Sequence, residues 1–307
     1  MYDKNDPRAA LAPAASAGAK AAPTSYFGPD YGHFYRDSPQ IAGAEGKTWV
    51  LRGQAMVVAF TEAAPGGSFA RTDQPDEYAI LLPDPAKGAV IETAAGSEAV
   101  AGNRIAFVPP GFSRVTMPDG GTLVRLFSPK AADLAALAAN ADHYASGNPA
   151  VPPFQPWPDP PGGFRLRHYP LDVPQTEGRF GRIYRCTTIM VNYLYPRIGP
   201  RDRKAVSPHH HDDFEQGSLA LTGRFVHHLR WPWTTDMTIW REDEHVDCLT
   251  PSLAIIPPPA IHTSTGEDQG VNQLVDIFAP PRADFSVKKG WVLNEADYPL
   301  PAGMTAS

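Results

Sequence analysis

Apolar positions along this chain come in short bursts. "TWVLRGQAMVVAF" (48–60), "EYAILLP" (77–83), "AVIETA" (89–94), "RIAFVPPG" (104–111) and "GTLVRLFSP" (121–129) are separated by clusters of Gly, Pro and Asp. Bursts of this length bounded by turn residues read as strands. One segment departs from the pattern. "KAADLAALAANADHYA" (130–145) places Leu134, Leu137 and Tyr144 on or near one face of a helix, and "SGNPAVPPFQPWPDPPGG" (146–163) then reads as a stiff proline-rich linker.

A second series of bursts follows and echoes the first. "IAFVPPGFSR" (Ile105 to Arg114) matches "LAIIPPPAIH" (Leu253 to His262), and "LVRLFSP" (Leu123 to Pro129) matches "LVDIFAP" (Leu274 to Pro280). "DEYAILLP" around Glu77 similarly resembles "DFEQGSLAL" around Glu215. Three blocks in the same order, about 150 residues apart, predict two copies of one all-β domain. The boundaries drawn on this basis are an N-terminal extension at 1–45, partly disordered at its Ala/Pro-rich start; a first barrel at 46–130; a helix and linker at 131–165; and a second barrel at 166–307.

Composition narrows the function. The 307 residues carry a net charge of −6 with 42% hydrophobic and 20% charged residues, a balance that suits globular cores. An acidic chain argues against nucleic-acid or anionic-membrane partners, and no apolar run reaches the length of a membrane span. The first residues lack the apolar core of a secretory signal, and there are only two cysteines, Cys186 and Cys248. A cytoplasmic location is therefore expected.

Chemistry concentrates in "SPHHHDDFEQGSLALTG" (Ser207 to Gly223). On an extended strand His209, His211 and Glu215 project to one face and His210 to the other. Far along the chain, His262 follows the proline-rich turn "IIPPPAIH". Imidazole nitrogens with one carboxylate suit a divalent first-row metal, which would offset the cost of burying these groups.

The spacing His209-x-His211-x3-Glu215, with Gly223 downstream, and Pro257-x-Pro259-x2-His262 resembles the two motifs of the cupin superfamily, over roughly residues 45–130 and 180–285. Proline stands where the second motif has glycine, Gly223 falls one residue late, and the motif's final asparagine is replaced by Gly266. The resemblance implies a bicupin: two double-stranded β-helix (jelly-roll) barrels, with one metal held by His209, His211, Glu215 and His262 in the C-terminal one. The first copy reads "SFARTDQPDEYAI", with Phe69 and Arg71 at the His-x-His positions, Glu77 at the glutamate and Arg114 in place of His262. That barrel is expected to be metal-free and to serve packing or dimerisation, with a homodimer as the expected assembly; the other use considered for it is an anion pocket built from Arg71 and Arg114.

If Thr222-Gly223 is a two-residue hairpin turn, counting back pairs Gly217 with His228 and Glu215 with Arg230. His228 would then face the metal as a proton carrier and His227 would face outward. Arg230 would either receive a substrate carboxylate or phosphate bidentately or pair with a carboxylate such as Glu215. Trp231, Trp233 and Trp240 lie in an insertion close by and suggest an apolar wall over the mouth, while Asn192 and Tyr193 alternate faces on the strand before the ligands. The resulting expectation is a mononuclear metal enzyme for a small-molecule substrate: an Fe(II) dioxygenase for a small aromatic or organic acid. The alternatives are a non-redox isomerase, lyase or decarboxylase using Mn, Zn or Ni, and a small-ligand-binding cupin without catalysis.

Overall fold

The computed structural model describes residues 23–306; the Ala/Pro-rich start expected to be disordered lies largely outside them. The apolar bursts become antiparallel strands that build two jelly-roll barrels. In the N-terminal barrel a seven-stranded sheet runs, in spatial order, Arg167–Pro170, Arg104–Val108, Tyr78–Leu82, Gly121–Phe127, Val57–Ala63, Gly46–Arg52 and Ile41–Gly43. It faces a four-stranded sheet of Gly67–Gln74, Gly111–Met117, Ala89–Thr93 and Gly96–Val100. The C-terminal barrel repeats this plan. Asp30–Gly32, Ser252–Ile256, Gln216–Thr222, Val271–Phe278, Met190–Leu194 and Gly181–Arg185 form one sheet, with Arg197–Ile198 also paired to Val271–Phe278. Glu244–Leu249, Arg224–Arg230 and Ile261–Gly266 form the opposite sheet.

Two edge strands are exchanged. Asp30–Gly32, from the N-terminal extension, pairs with Ser252–Ile256 of the second barrel. Arg167–Pro170 pairs with Arg104–Val108 of the first. Each covers a sheet edge that would otherwise offer unpaired backbone groups. Divisions at residues 45 and 166 thus follow the chain, whereas the sheets cross them. The helix is shorter than its pattern, Ala132–Leu137 followed by a 3-10 turn at Ala141–Tyr144. Between them, Asn140 leaves the helix to bond the Arg52 backbone, accepting from its N–H at 3.0 Å and donating to its carbonyl at 2.8 Å. No helix among the described residues is long and apolar enough to cross a membrane.

The two large sheets pack against each other through their outer faces. Leu51, Phe60, Leu81, Phe107 and Leu126 of the first barrel share one core with Tyr184, Val191, Leu219, Ile255 and Ile277 of the second. Tyr78–Leu82 is consequently buried at every position: Ala79 and Leu81 face the other barrel, while Tyr78, Ile80 and Leu82 line the interior of their own. This two-sided burial explains why the sequence shows unbroken apolar runs where a half-exposed strand would alternate.

Within this apolar interface each barrel inserts one carboxylate into the other barrel's hairpin. Glu77, fully buried, accepts hydrogen bonds from the Thr187 N–H (3.0 Å), the Thr187 hydroxyl (3.1 Å) and the Tyr298 hydroxyl (2.7 Å). Glu215, equally buried, accepts from the Gln54 N–H (2.5 Å), the Tyr144 hydroxyl (3.1 Å) and the Asn148 amide (3.2 Å). Gly53 is required beside Gln54, because a Cβ there would lie 2.5 Å from Glu215 Oε2. Burial pushes both carboxyls above the usual range, and the hydrogen bonds they accept oppose that rise. Replacing Glu77 by Ala strands these donors in an apolar interface. We expect a loss of about 2–4 kcal/mol in stability, read as a lower denaturant midpoint.

Candidate metal centre

His209 and His262 are joined backbone to backbone: each N–H donates to the other's carbonyl, at 3.1 and 2.7 Å. This bridge places the His-rich segment against the start of Ile261–Gly266, just after the proline turn closed by the Ala260 N–H to the Pro257 carbonyl at 3.1 Å. His211 lies alongside. One nitrogen of each of His209, His211 and His262 falls within 4.8 Å of the others. His211 and His262 are buried and His209 is half-buried.

The surroundings fix the tautomers. His209 Nδ1 lies 2.9 Å from the Ser207 carbonyl, and His262 Nδ1 lies 2.9 Å from the Ala260 carbonyl. A carbonyl only accepts, so both Nδ1 atoms carry the proton and both Nε2 atoms present lone pairs. Burial first, and the nearby Arg282 second, hold the His211 pKa well below the usual imidazole value. Its ring stacks on Phe214 with centroids 4.3 Å apart. Gln216 completes the group: its Oε1 is 3.0 Å from His211 Nε2 and 3.4 Å from His262 Nε2. Its amide nitrogen donates to Ser218 Oγ (2.9 Å) and Asp276 Oδ1 (3.0 Å), which turns the oxygen toward the imidazoles. Three imidazoles and an oriented amide oxygen fit a divalent first-row cation, which would take the place of the proton that His211 Nε2 donates to Gln216 Oε1.

Three assignments drawn from the sequence are corrected. Glu215 stands outside the cluster, in the interface between the barrels. The chain bends at Asp212 and Asp213, and regular strand begins only at Gln216, so the two-residue alternation does not run through from His211. His228 lies on the outer face of its sheet, with Nδ1 2.8 Å from His245 Nδ1 and Nε2 3.2 Å from Thr265 Oγ1. Arg230 is exposed and paired with Asp243, its Nε 3.0 Å from either carboxylate oxygen. The last two share one cause. Thr222-Gly223, with Gly223 at φ +95°, is not a hairpin turn but carries the chain from the large sheet to the small one. Gln216–Thr222 and Arg224–Arg230 are not partners, so counting across them fails.

His227 is the inward residue, in step with Phe225 and Leu229. Fully buried, it places Nδ1 2.8 Å from Ser264 Oγ and leaves Nε2 without a partner. Burial, with His262 adding to it, pushes its pKa down to about 3. Asn192 also faces inward, cross-strand from Asp276, and both atoms of its buried amide lack partners. Its space exists because residue 181 is glycine; a Cβ there would sit 1.9 Å from Asn192 Oδ1. A cleft of about 700 Å³ reaches His209, His262, Gln216 and Asp276, and Arg179, Arg197 and Arg201 also line it. The tryptophans do not. Trp231 is buried elsewhere, and Trp233 stacks on Trp240 at 4.6 Å with 78% of its surface exposed.

No protein-family model matches this chain, and no curated protein sequence matches it. Among solved structures it is similar to the oxalate decarboxylase of Lactobacillus farciminis, over 85% of this chain and 88% of that one, with a TM-score of 0.55 at 13% identity. A single-residue variant of Bacillus subtilis oxalate decarboxylase matches over 84% of this chain and 78% of its own, with a TM-score of 0.52 at 12% identity. At these identities the likeness is one of fold.

Two outcomes follow from the geometry. Metal analysis is expected to show His262→Ala losing bound metal and Gln216→Ala weakening it about tenfold, with Glu215→Gln retaining metal while lowering stability. The second outcome concerns acid. An unfolded histidine titrates near about 6.5 and His227 in the fold only near about 3. The stability tied to neutral His227 is therefore complete above the unfolded value and drains as pH falls through this window. Denaturation between pH 4 and 7 is expected to show a flatter profile for His227→Gln than for the unaltered chain.

Proposed function

We propose that this chain, a bicupin by its fold, is a metal-dependent enzyme that cleaves a small organic acid by non-redox chemistry of the decarboxylase or lyase class. The observation that carries this reading is the oriented donor set of His209, His211, His262 and Gln216 at the end of a cleft bearing three arginines. His209, His211 and His262, with Gln216 as a fourth donor, would hold one divalent ion. When bound, that ion supplies Lewis acidity next to the substrate, undiminished by any charged ligand among these four.

The remaining work falls to the chain's own side chains. Arg179, Arg197 and Arg201 outnumber Glu177 and Asp276 in the cleft lining, which leaves it a net positive charge that draws a carboxylate inward. Asn192, cross-strand from Asp276, and His227, beside Ser264, lie behind the cleft lining, buried with hydrogen-bonding capacity that the protein leaves unused; a substrate oxygen reaching past Asp276 would accept from the Asn192 amide nitrogen. With its pKa near about 3, His227 is neutral at physiological pH and orients substrate through hydrogen bonding. The tryptophans that favoured oxidation of an aromatic substrate do not line the cleft, although Phe180, Tyr195 and Phe225 do. An Fe(II)-dependent dioxygenase remains the second reading, favoured by the coordination positions that four donors leave open for substrate and oxygen together.

Chain reconstituted separately with Mn, Fe(II), Zn and Ni, and offered small mono- and dicarboxylic acids, separates these readings. We expect carbon dioxide release or bond cleavage without oxygen uptake, and a drop of at least about tenfold in kcat/KM for Asn192→Ala at unchanged metal content. Turnover that requires Fe(II) and consumes oxygen would establish the second reading. No turnover with any metal would overturn both.

A further inference from the structure

We propose that the N-terminal barrel, which lacks metal ligands, binds a small carboxylate anion on Arg125. Arg125 lies in Gly121–Phe127, cross-strand from Ala59 and Ile80, and shares their inward face. Only 5% of its surface is exposed. Its Nε has no hydrogen-bond partner, and among the described residues no carboxylate forms an ion pair with it. The Phe69 ring centroid lies 4.9 Å from the guanidinium carbon. Burial lowers its pKa to about 10, so it stays charged at neutral pH.

A buried cation without a counter-ion is costly, and a cation–π contact recovers only part of that cost. The acids in the hydrogen-bond network around Arg71 and Gln74 are committed within it. Asp133 forms a bidentate pair with Arg71, and Asp76 accepts from Ser128 Oγ (2.5 Å) and the Gln74 amide (3.1 Å). Arg71, cross-strand from Ser113, lies on the same face with its charge met by Asp133, and the Tyr78–Ser113 hydroxyl pair (2.9 Å) adds polar groups. Arg114 instead faces outward to Glu92, so the anion pocket considered from the sequence has one of its two arginines on the wrong side.

Comparison of the two barrels supports the assignment. Arg125 in "LVRLFSP" occupies the place of Asp276 in "LVDIFAP". The barrel whose imidazoles can surround a cation carries an acid at this rung, and the barrel without them carries a base. A guanidinium presents a planar fork of donors matched to the two oxygens of a carboxylate.

The test uses the full chain freed of metal with EDTA and compares formate with chloride at equal ionic strength. Formate is expected to raise Tm saturably above chloride in the unaltered chain and equally in His262→Ala. The response is expected to vanish in Arg125→Met and to need about tenfold more formate in Arg125→Lys. The proposal is overturned if formate and chloride act alike on the unaltered chain, if the response survives in Arg125→Met, or if it disappears in His262→Ala, which would locate the anion in the other barrel. Should Arg125→Met fail to fold, Arg125→Lys and the unaltered chain decide: a Lys variant with undiminished affinity overturns the proposal.

Discussion

The structure depends on the burial of two large sheets against each other. Because the central strands of each barrel's large sheet are covered on both faces, they carry long apolar runs, and a polar group among them is costly unless it is satisfied locally. Glu77 and Glu215 meet that condition reciprocally. Each takes a backbone N–H from the opposite hairpin and a tyrosine hydroxyl from the segment that follows the opposite barrel. The carboxylates register one barrel against the other, as the exchanged edge strands do at the sheet margins.

That arrangement determines what the C-terminal barrel has left for chemistry. With Glu215 engaged in the interface, the next residue, Gln216, begins the strand and points inward. Its amide is held by Ser218 and Asp276, so the oxygen faces the histidines. The centre is built from neutral donors, while the nearest carboxylate, Asp276, acts through the amide it orients. The N-terminal barrel uses the same scaffold with its interior packed and a guanidinium where the other has Asp276.

The repeat, the all-β class and the three histidines were legible in the sequence, because strand periodicity and turn residues are local signals. The identity of the fourth donor was not, since it depends on where an irregular bend ends and strand begins. A clue was nevertheless present: Glu77 persists in a barrel that has lost every imidazole, which marks that carboxylate as structural. The exchange of His228 for His227 has a similar lesson. "RFVHHLR" carries its own two-residue alternation, with His227 in phase with Phe225 and Leu229. That pattern is a better guide to orientation than counting across a turn assumed to be a hairpin. The swapped edge strands could not be read, because three- and four-residue strands carry too little pattern to name a partner.

The central claim is that one cation is held by His209, His211 and His262 with the Gln216 amide oxygen, and not by Glu215. A crystal structure of the manganese-loaded chain with an anomalous difference map tests it most directly. The account predicts a single peak within bonding distance of all three imidazoles and of Gln216 Oε1, with Glu215 still bonded to Gln54. A peak bound to Glu215, or three imidazoles that share no common ion, would contradict it.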